Sequence, residues 1–189
     1  IRDSTNCAAD VTVKNTQTGG YIFGAGGLVG CVNSSGLKIS NCYVTGTSMT
    51  SARGAGGLVG ASQNSTSRTI TIQNSVALQS EVSNGNYTSY EGRLAGGSYF
   101  NGSTFTSDYA YADMIGAQQT NKKYDPTVAR NGADVSKAAC TTADFWKDTV
   151  SFDTSVWNIE DGKLPRLSNL DAMTGNPPTY LLDAASCLV

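Results

Sequence analysis

The segment Gly-Ala-Gly-Gly-Leu-Val-Gly at Gly24 to Gly30 recurs letter for letter at Gly54 to Gly60. A seven-residue identity within one chain marks an internal repeat, and a unit of this kind buries its apolar face only by stacking on its neighbours. A second series interleaves with the first. Asn6-Cys7, Asn41-Cys42 and Asn74-Ser75 follow one another at spacings of 35 and 33 residues. Ile39-Ser-Asn41-Cys42-Tyr43-Val44 aligns with Ile72-Gln-Asn74-Ser75-Val76-Ala77, and again with Phe105-Thr-Ser107-Asp108-Tyr109-Ala110. Gly96-Gly97-Ser98-Tyr99-Phe100 reads as a decayed third glycine segment.

One repeat reads as a glycine-led strand, a polar turn, an alternating strand, a corner at Asn and a short returning strand. Thr69-Ile70-Thr71-Ile72 alternates hydroxyl and apolar residues, which puts one face in a core and the other in water. Like positions of successive parallel repeats lie about 4.8 Å apart, so Ile39, Ile72 and Phe105 are expected to stack as one internal ladder. The paired glycines, Gly26-Gly27 and Gly56-Gly57, are expected to take positive φ at a corner and to let neighbouring repeats approach without Cβ contacts. Gly30 and Gly60 close each segment, while Leu28-Val29 and Leu58-Val59 supply strand propensity and buried area. A phosphate-cradling loop is the rival reading, but no Gly-Lys-Ser/Thr ending and no helix-forming segment follow the glycines.

Asn41 and Asn74 fall where a strand must bend, and asparagine tolerates the left-handed conformation that such a bend needs. They are read as corners hydrogen-bonded between repeats, with a sugar-reading amide as the alternative. Cys7 and Cys42 are then vertical neighbours, either as small buried thiols or as a bridge.

Composition excludes several activities. The net charge of −2, with only 13 Lys+Arg, lacks the basic footprint that nucleic acid requires. With no histidine, imidazole bases and His-based triads are absent. The five cysteines form no CxxC pair, so neither a zinc site nor any cofactor is expected. No apolar run is long enough for a transmembrane segment.

After Met114 the composition changes. Ser136-Lys-Ala-Ala-Cys140 and Thr142-Ala-Asp-Phe145-Trp146-Lys read as short helices with hydroxyl caps. An aromatic and aliphatic cluster follows, containing Trp146, Trp157 and Pro165. These residues are expected to cap the end of the repeat stack, whose apolar cross-section and unpaired edges need cover. A sugar-stacking platform is the alternative for the two tryptophans. The tail through Asn176-Pro177-Pro178 is expected to pack back on the body.

The Gly-Gly-Leu-Val-Gly unit alternating with Ile-x-Asn-Cys-Tyr resembles the GLUG-motif repeat of bacterial surface and secreted proteins, Bacteroides-type ones included. That repeat also occurs in non-catalytic parts of immunoglobulin A-specific metalloendopeptidases. Phe145-Trp146, Phe152 to Asn158 and Asp161 to Leu167 are similar to the segment that closes such regions. The resemblance implies a location outside the cell and a role in adhesion, and it brings no catalytic residue. The expectation is an all-β chain. A right-handed parallel β-helix, or solenoid, of about three to four coils spans residues 1–117, and a small mixed cap with an extended tail spans 118–189.

The expected function is that of a non-enzymatic extracellular or cell-surface module whose partner is a host glycan, a protein or a neighbouring subunit. A polysaccharide lyase or hydrolase on the same scaffold is the alternative, with Asp108, Asp113 and Asp125 as its carboxylates. Calcium at Asp153, Glu160 and Asp161 is set against a plain turn at Asp161-Gly162. Ile1 to Cys7 aligns with the latter half of a repeat. The chain is therefore read as a piece of a longer molecule that starts partway round a coil, an open edge through which it could associate.

Overall fold

The computed structural model describes residues 3–16, 24–51, 54–62, 66–84, 90–97, 99–116, 124–170 and 173–182. The chain is all-β and built on parallel sheets. The first repeat supplies β1 (Asp3–Thr5), β2 (Ala8–Asp10), β3 (Val13–Asn15), β4 (Ala25–Gly26) and β5 (Val29–Val32). The second supplies β6 (Leu37–Ser40), β7 (Tyr43–Thr45), β8 (Met49–Ser51), β9 (Ala55–Gly56) and β10 (Val59–Ser62). The third supplies β11 (Ile70–Gln73), β12 (Val76–Ala77), β13 (Val82–Asn84) and β14 (Glu91–Gly92), followed by β15 (Thr104–Thr106), β16 (Tyr109–Tyr111) and β17 (Ala133–Val135).

Strands at the same place in successive repeats pair with one another. β1, β6, β11 and β15 form one sheet, and β2, β7, β12, β16 and β17 form another. β3, β8 and β13 form a third, β4, β9 and β14 a fourth, and β5 with β10 a fifth. Ile39 pairs in register with Ile72, and Ile72 with Phe105. Ile39 and Ile72 are fully buried while Phe105 is half-buried. Each buried isoleucine contributes about 1.5–3 kcal/mol by leaving water. The first two repeats thus carry five short strands each where alternation alone suggested two or three, because strands of two or three residues are too short to show a period.

The corners fall on asparagine. Asn6, Asn41 and Asn74 have φ of 55°, 53° and 49°, and Ser107 repeats the bend at 53°. Positive φ is absent from Gly26, Gly27, Gly30, Gly56, Gly57 and Gly60, contrary to the expectation from the sequence. Gly26, Gly27, Gly56, Gly57 and Gly60 serve close approach instead. A Cβ on Gly27 would lie 2.4 Å from Val44 Cγ1, and one on Gly57 would lie 2.3 Å from the Arg93 carbonyl oxygen.

The third glycine segment is also displaced. Glu91 and Gly92 pair with Ala55 and Gly56, and Leu58 N–H donates to the Leu94 carbonyl at 3.0 Å. The structural counterpart of Gly26 to Gly30 is therefore Gly92 to Gly96, four residues before the position read from Gly96-Gly97. Arg93 stands where the second glycine would be, which hides the match.

Beyond β17, α1 (Lys137–Cys140) begins at Ser136, whose hydroxyl accepts from Ala139 N–H. A π-type turn covers Phe145–Thr149, closed by Val150 N–H on the Phe145 carbonyl at 2.9 Å. β18 (Trp157–Asn158) and β19 (Arg166–Leu167) then pair antiparallel. No helix among the described residues is long and apolar enough to cross a membrane.

Candidate functional site

The residue after each left-handed corner reaches toward the preceding repeat. Asp108 Oδ1 accepts from Ser75 N–H at 3.0 Å, Ser75 Oγ from Cys42 N–H at 3.3 Å, and Cys42 Sγ from Cys7 N–H at 3.3 Å. Three of these side chains also satisfy their own corner. Cys42 and Ser75 donate to the carbonyls of Ser40 and Gln73, and Asp108 Oδ2 accepts from Thr106 N–H at 3.0 Å. Alongside, Asn74 Nδ2 donates to Asn41 Oδ1 at 3.3 Å. The amides of Asn41 and Asn74 thus serve the stack.

Burial dominates the acidities on this ladder. It pushes the Cys42 thiol up to about 12, against the pull of the Cys7 backbone N–H. Asp108, 6% exposed, is pushed up to about 7 by burial, against the pull of its two backbone donors. It borders a cleft of about 380 Å³ whose walls include Phe105, Tyr109, Pro126 and Ala129. Of the other carboxylates proposed for catalysis, Asp113 is exposed on the turn after β16. Asp125 is also exposed and accepts from the backbone and hydroxyl of Thr127.

The glycine segments hold no phosphate cradle. The N–H groups of Gly27, Leu28 and Val29 donate to carbonyls of Gly57 and Leu58, and those of Gly57, Leu58 and Val59 to carbonyls of Arg93 and Leu94. Arg93 is fully buried. It donates to the carbonyls of Asn131, Gly132 and Tyr111, and to Asp134 Oδ1 at 2.6 Å. It fastens the segment that carries β17 to the end of the stack. Gly92-x-Leu94-x-Gly96, matching Gly56-x-Leu58-x-Gly60, is the sequence signal that locates it.

Trp146 and Trp157 are buried, so neither offers a ring to a sugar. They do not cover an end of the stack either. Both pack on Tyr43, with centroids 5.3 and 5.8 Å away, and Tyr43 Oη donates to the Pro165 carbonyl at 2.6 Å. Phe145 meets Tyr109 edge-on at 5.3 Å. The cluster therefore lies against the face of the five-stranded sheet, because Tyr43 and Tyr109 point away from the core that takes Val44. The tail packs back as expected, with Tyr180 Oη 2.7 Å from the Leu78 carbonyl.

Between this C-terminal segment and the first strand of the same sheet lies a cavity of about 350 Å³. Ala8, Ala9, Tyr43, Leu164, Leu167 and Met173 line it, with Asp10 as its charged wall. Asp10 accepts from Thr45 Oγ1 at 3.1 Å. The carboxylates proposed for calcium are engaged elsewhere. Asp153 accepts from Ser155 N–H, Asp161 from Ala143 N–H, and Glu160 pairs with Lys163 and Arg166. Asp161-Gly162 is a turn, with Gly162 at φ 76°. Among the described residues no group of three or more His, Cys, Asp or Glu is placed to hold a metal. No disulfide joins Cys7, Cys31, Cys42 or Cys140 in this structure, while Cys187 lies outside the described residues. No family model, no curated protein and no solved structure matches the chain.

Proposed function

We propose that the chain is a right-handed β-solenoid of GLUG-type repeats that works as a non-enzymatic binding module on the bacterial cell surface, holding a glycan or a protein. One observation carries the reading. The corner formed by Asn6, Asn41, Asn74 and Ser107 recurs at 35 and then 33 residues, and the side chain after it is spent on the neighbouring repeat's backbone. Repetition of this kind builds an extended ridged surface and leaves the periodic polar residues committed to structure. The 350 Å³ cavity beside Asp10 is the recess assigned to a side group of the bound polymer, since it joins apolar walls to one carboxylate. The resemblance named above supplies the cell-surface setting.

Asp108 favours a second reading, a carboxylate-dependent polysaccharide lyase or hydrolase, because a carboxyl raised to about 7 beside a cleft is suited to proton transfer. The two backbone donors on its oxygens weigh for the structural role. A glycan array and a polysaccharide depolymerisation assay on the same preparation separate the readings. The binding module is expected to retain a glycan or protein and release no product. New reducing or unsaturated ends, abolished in Asp108→Asn, would overturn it.

A further inference from the structure

Cys7 and Cys42 stand at the same position of adjacent parallel strands, immediately before the in-register pair Ala8 and Tyr43. Their backbones are held together on both sides of the thiols. Asn6 N–H donates to the Ser40 carbonyl at 3.1 Å, and Tyr43 N–H to the Cys7 carbonyl at 2.9 Å. Neighbouring strands lie about 4.8 Å apart, inside the Cα separation that a disulfide spans. Cys42 Sγ already sits 3.3 Å from the backbone nitrogen of Cys7, on the residue that carries the other thiol. Access is unequal, with Cys7 half-buried and Cys42 buried. Cys31 pairs across strands with Ala61, and Cys140 Sγ donates to the Lys137 carbonyl.

We propose that Cys7 and Cys42 are a reversible disulfide site that fastens the repeat of β1 to β3 onto the next one, with a small-molecule disulfide as oxidant. The Cys7 thiolate attacks one sulfur of oxidised glutathione, breaks its S–S bond and expels one glutathione thiolate. Cys42 releases its proton to solvent and attacks the Cys7 sulfur. The Cys7–Cys42 bond forms and the second glutathione thiolate leaves. The protein loses two hydrogens with their electrons, and the small disulfide gains them. Burial weakens the Cys42 thiol as an acid, so less of it is thiolate and this second step is the slow one.

The repeat that the bond would secure has the least cover. Among residues 3–16 none is buried, whereas Ile39, Cys42, Val44 and Met49 in the next repeat are fully buried. The proposal draws on the cell-surface reading only for an oxidising setting. Its test uses the purified chain without any ligand, so failure of one leaves the other standing.

Native chain equilibrated with oxidised glutathione is followed by intact mass and by peptide mapping without reduction. The expected course is a transient mixed disulfide on Cys7, then a product two hydrogens lighter that yields a Cys7–Cys42 cross-linked peptide. In that product the amides of Ala8 to Val13 are expected to exchange about tenfold more slowly than in the reduced chain. Cys42→Ser keeps the fold, since Ser75 fills the same position one repeat later, and it should stop at the mixed disulfide. Arrest of the native chain at that stage, cross-linking only in denaturant, pairing through Cys31 or Cys140, or unchanged exchange after cross-linking would each overturn the proposal.

Discussion

One corner position carries a thiol in Cys7 and Cys42, a hydroxyl in Ser75 and a carboxyl in Asp108, and in the last three the side chain accepts the preceding repeat's N–H. Only the carboxyl titrates in the acid range, and this gives the fold a pH dependence. Burial raises the Asp108 pKa from 3.8 to about 7, so the native state holds this proton where the unfolded chain has released it. The stabilisation from that group is complete below about pH 4 and is lost as pH rises through about 7, by at most about 4 kcal/mol. Asp108→Ser, which copies the rung at Ser75, is expected to flatten the slope of unfolding free energy between pH 4 and pH 8. An unchanged slope in urea titrations would show that the carboxyl is not its source. The glycines allow a second residue-level comparison. A Cβ at Gly57 meets the Arg93 oxygen at 2.3 Å and Ala77 Cβ at 2.7 Å, whereas one at Gly30 meets nothing nearer than 3.2 Å. Gly57→Ala should cost about 3 kcal/mol or more and Gly30→Ala under about 1 kcal/mol, read from chemical denaturation midpoints.

At the scale of elements, β6, β11 and β15 were legible because their register is set by a constant 33-residue step and by apolar residues on one face. The bends at Asn41 and Asn74 were legible because few residues accept φ near 50°. The β14 segment was not, since Arg93 replaces a glycine and the step from Gly56 to Gly92 is longer than that from Gly26 to Gly56. Nor could the sequence say where Trp146 and Trp157 would lie. That depends on which face of β7 carries Tyr43, and a three-residue strand with all residues buried shows no alternation. Of the recesses, only the Asp108 cleft had a sequence-level pointer. The Asp10 cavity joins residues more than 150 positions apart. The aromatic cluster joins the segment from α1 to β19 to the sheet. Trp146→Ala removes a fully buried ring that touches Tyr43, Phe145 and Phe152, and is expected to cost about 3–5 kcal/mol. Loss of near-ultraviolet circular dichroism from the remaining aromatics, with the far-ultraviolet strand signal kept, is the expected signature. A variant with the parent's spectrum and unfolding midpoint would contradict that assignment.

Across the whole molecule, cover is uneven along the stacking direction. Strands β1 to β3 pair on one side only among the described residues, while β6 to β8 pair on both. In the reduced chain, the amides of Ala8 to Val13 are therefore expected to exchange faster than those of Ile70 to Val76. Equal protection in both stretches would show that burial is a poor guide to opening here. The hydrogen bonds of the corner ladder add a polarity that pairing alone lacks. Every rung is an acceptor supplied by the later repeat to a donor in the earlier one, from Asp108 to Ser75 to Cys42 to Cys7. The same residues are tied in the opposite sense as well, since the N–H groups of Tyr43, Val76 and Tyr109 donate to the carbonyls of Cys7, Cys42 and Ser75. Removing the Ser75 hydroxyl takes the acceptor from the Cys42 N–H, while Asp108 keeps both of its backbone donors and Val76 N–H still donates to the Cys42 carbonyl. Each corner is thus cross-braced, by a side chain reaching back and a carbonyl taking the next N–H, so a lost rung weakens one junction without parting it.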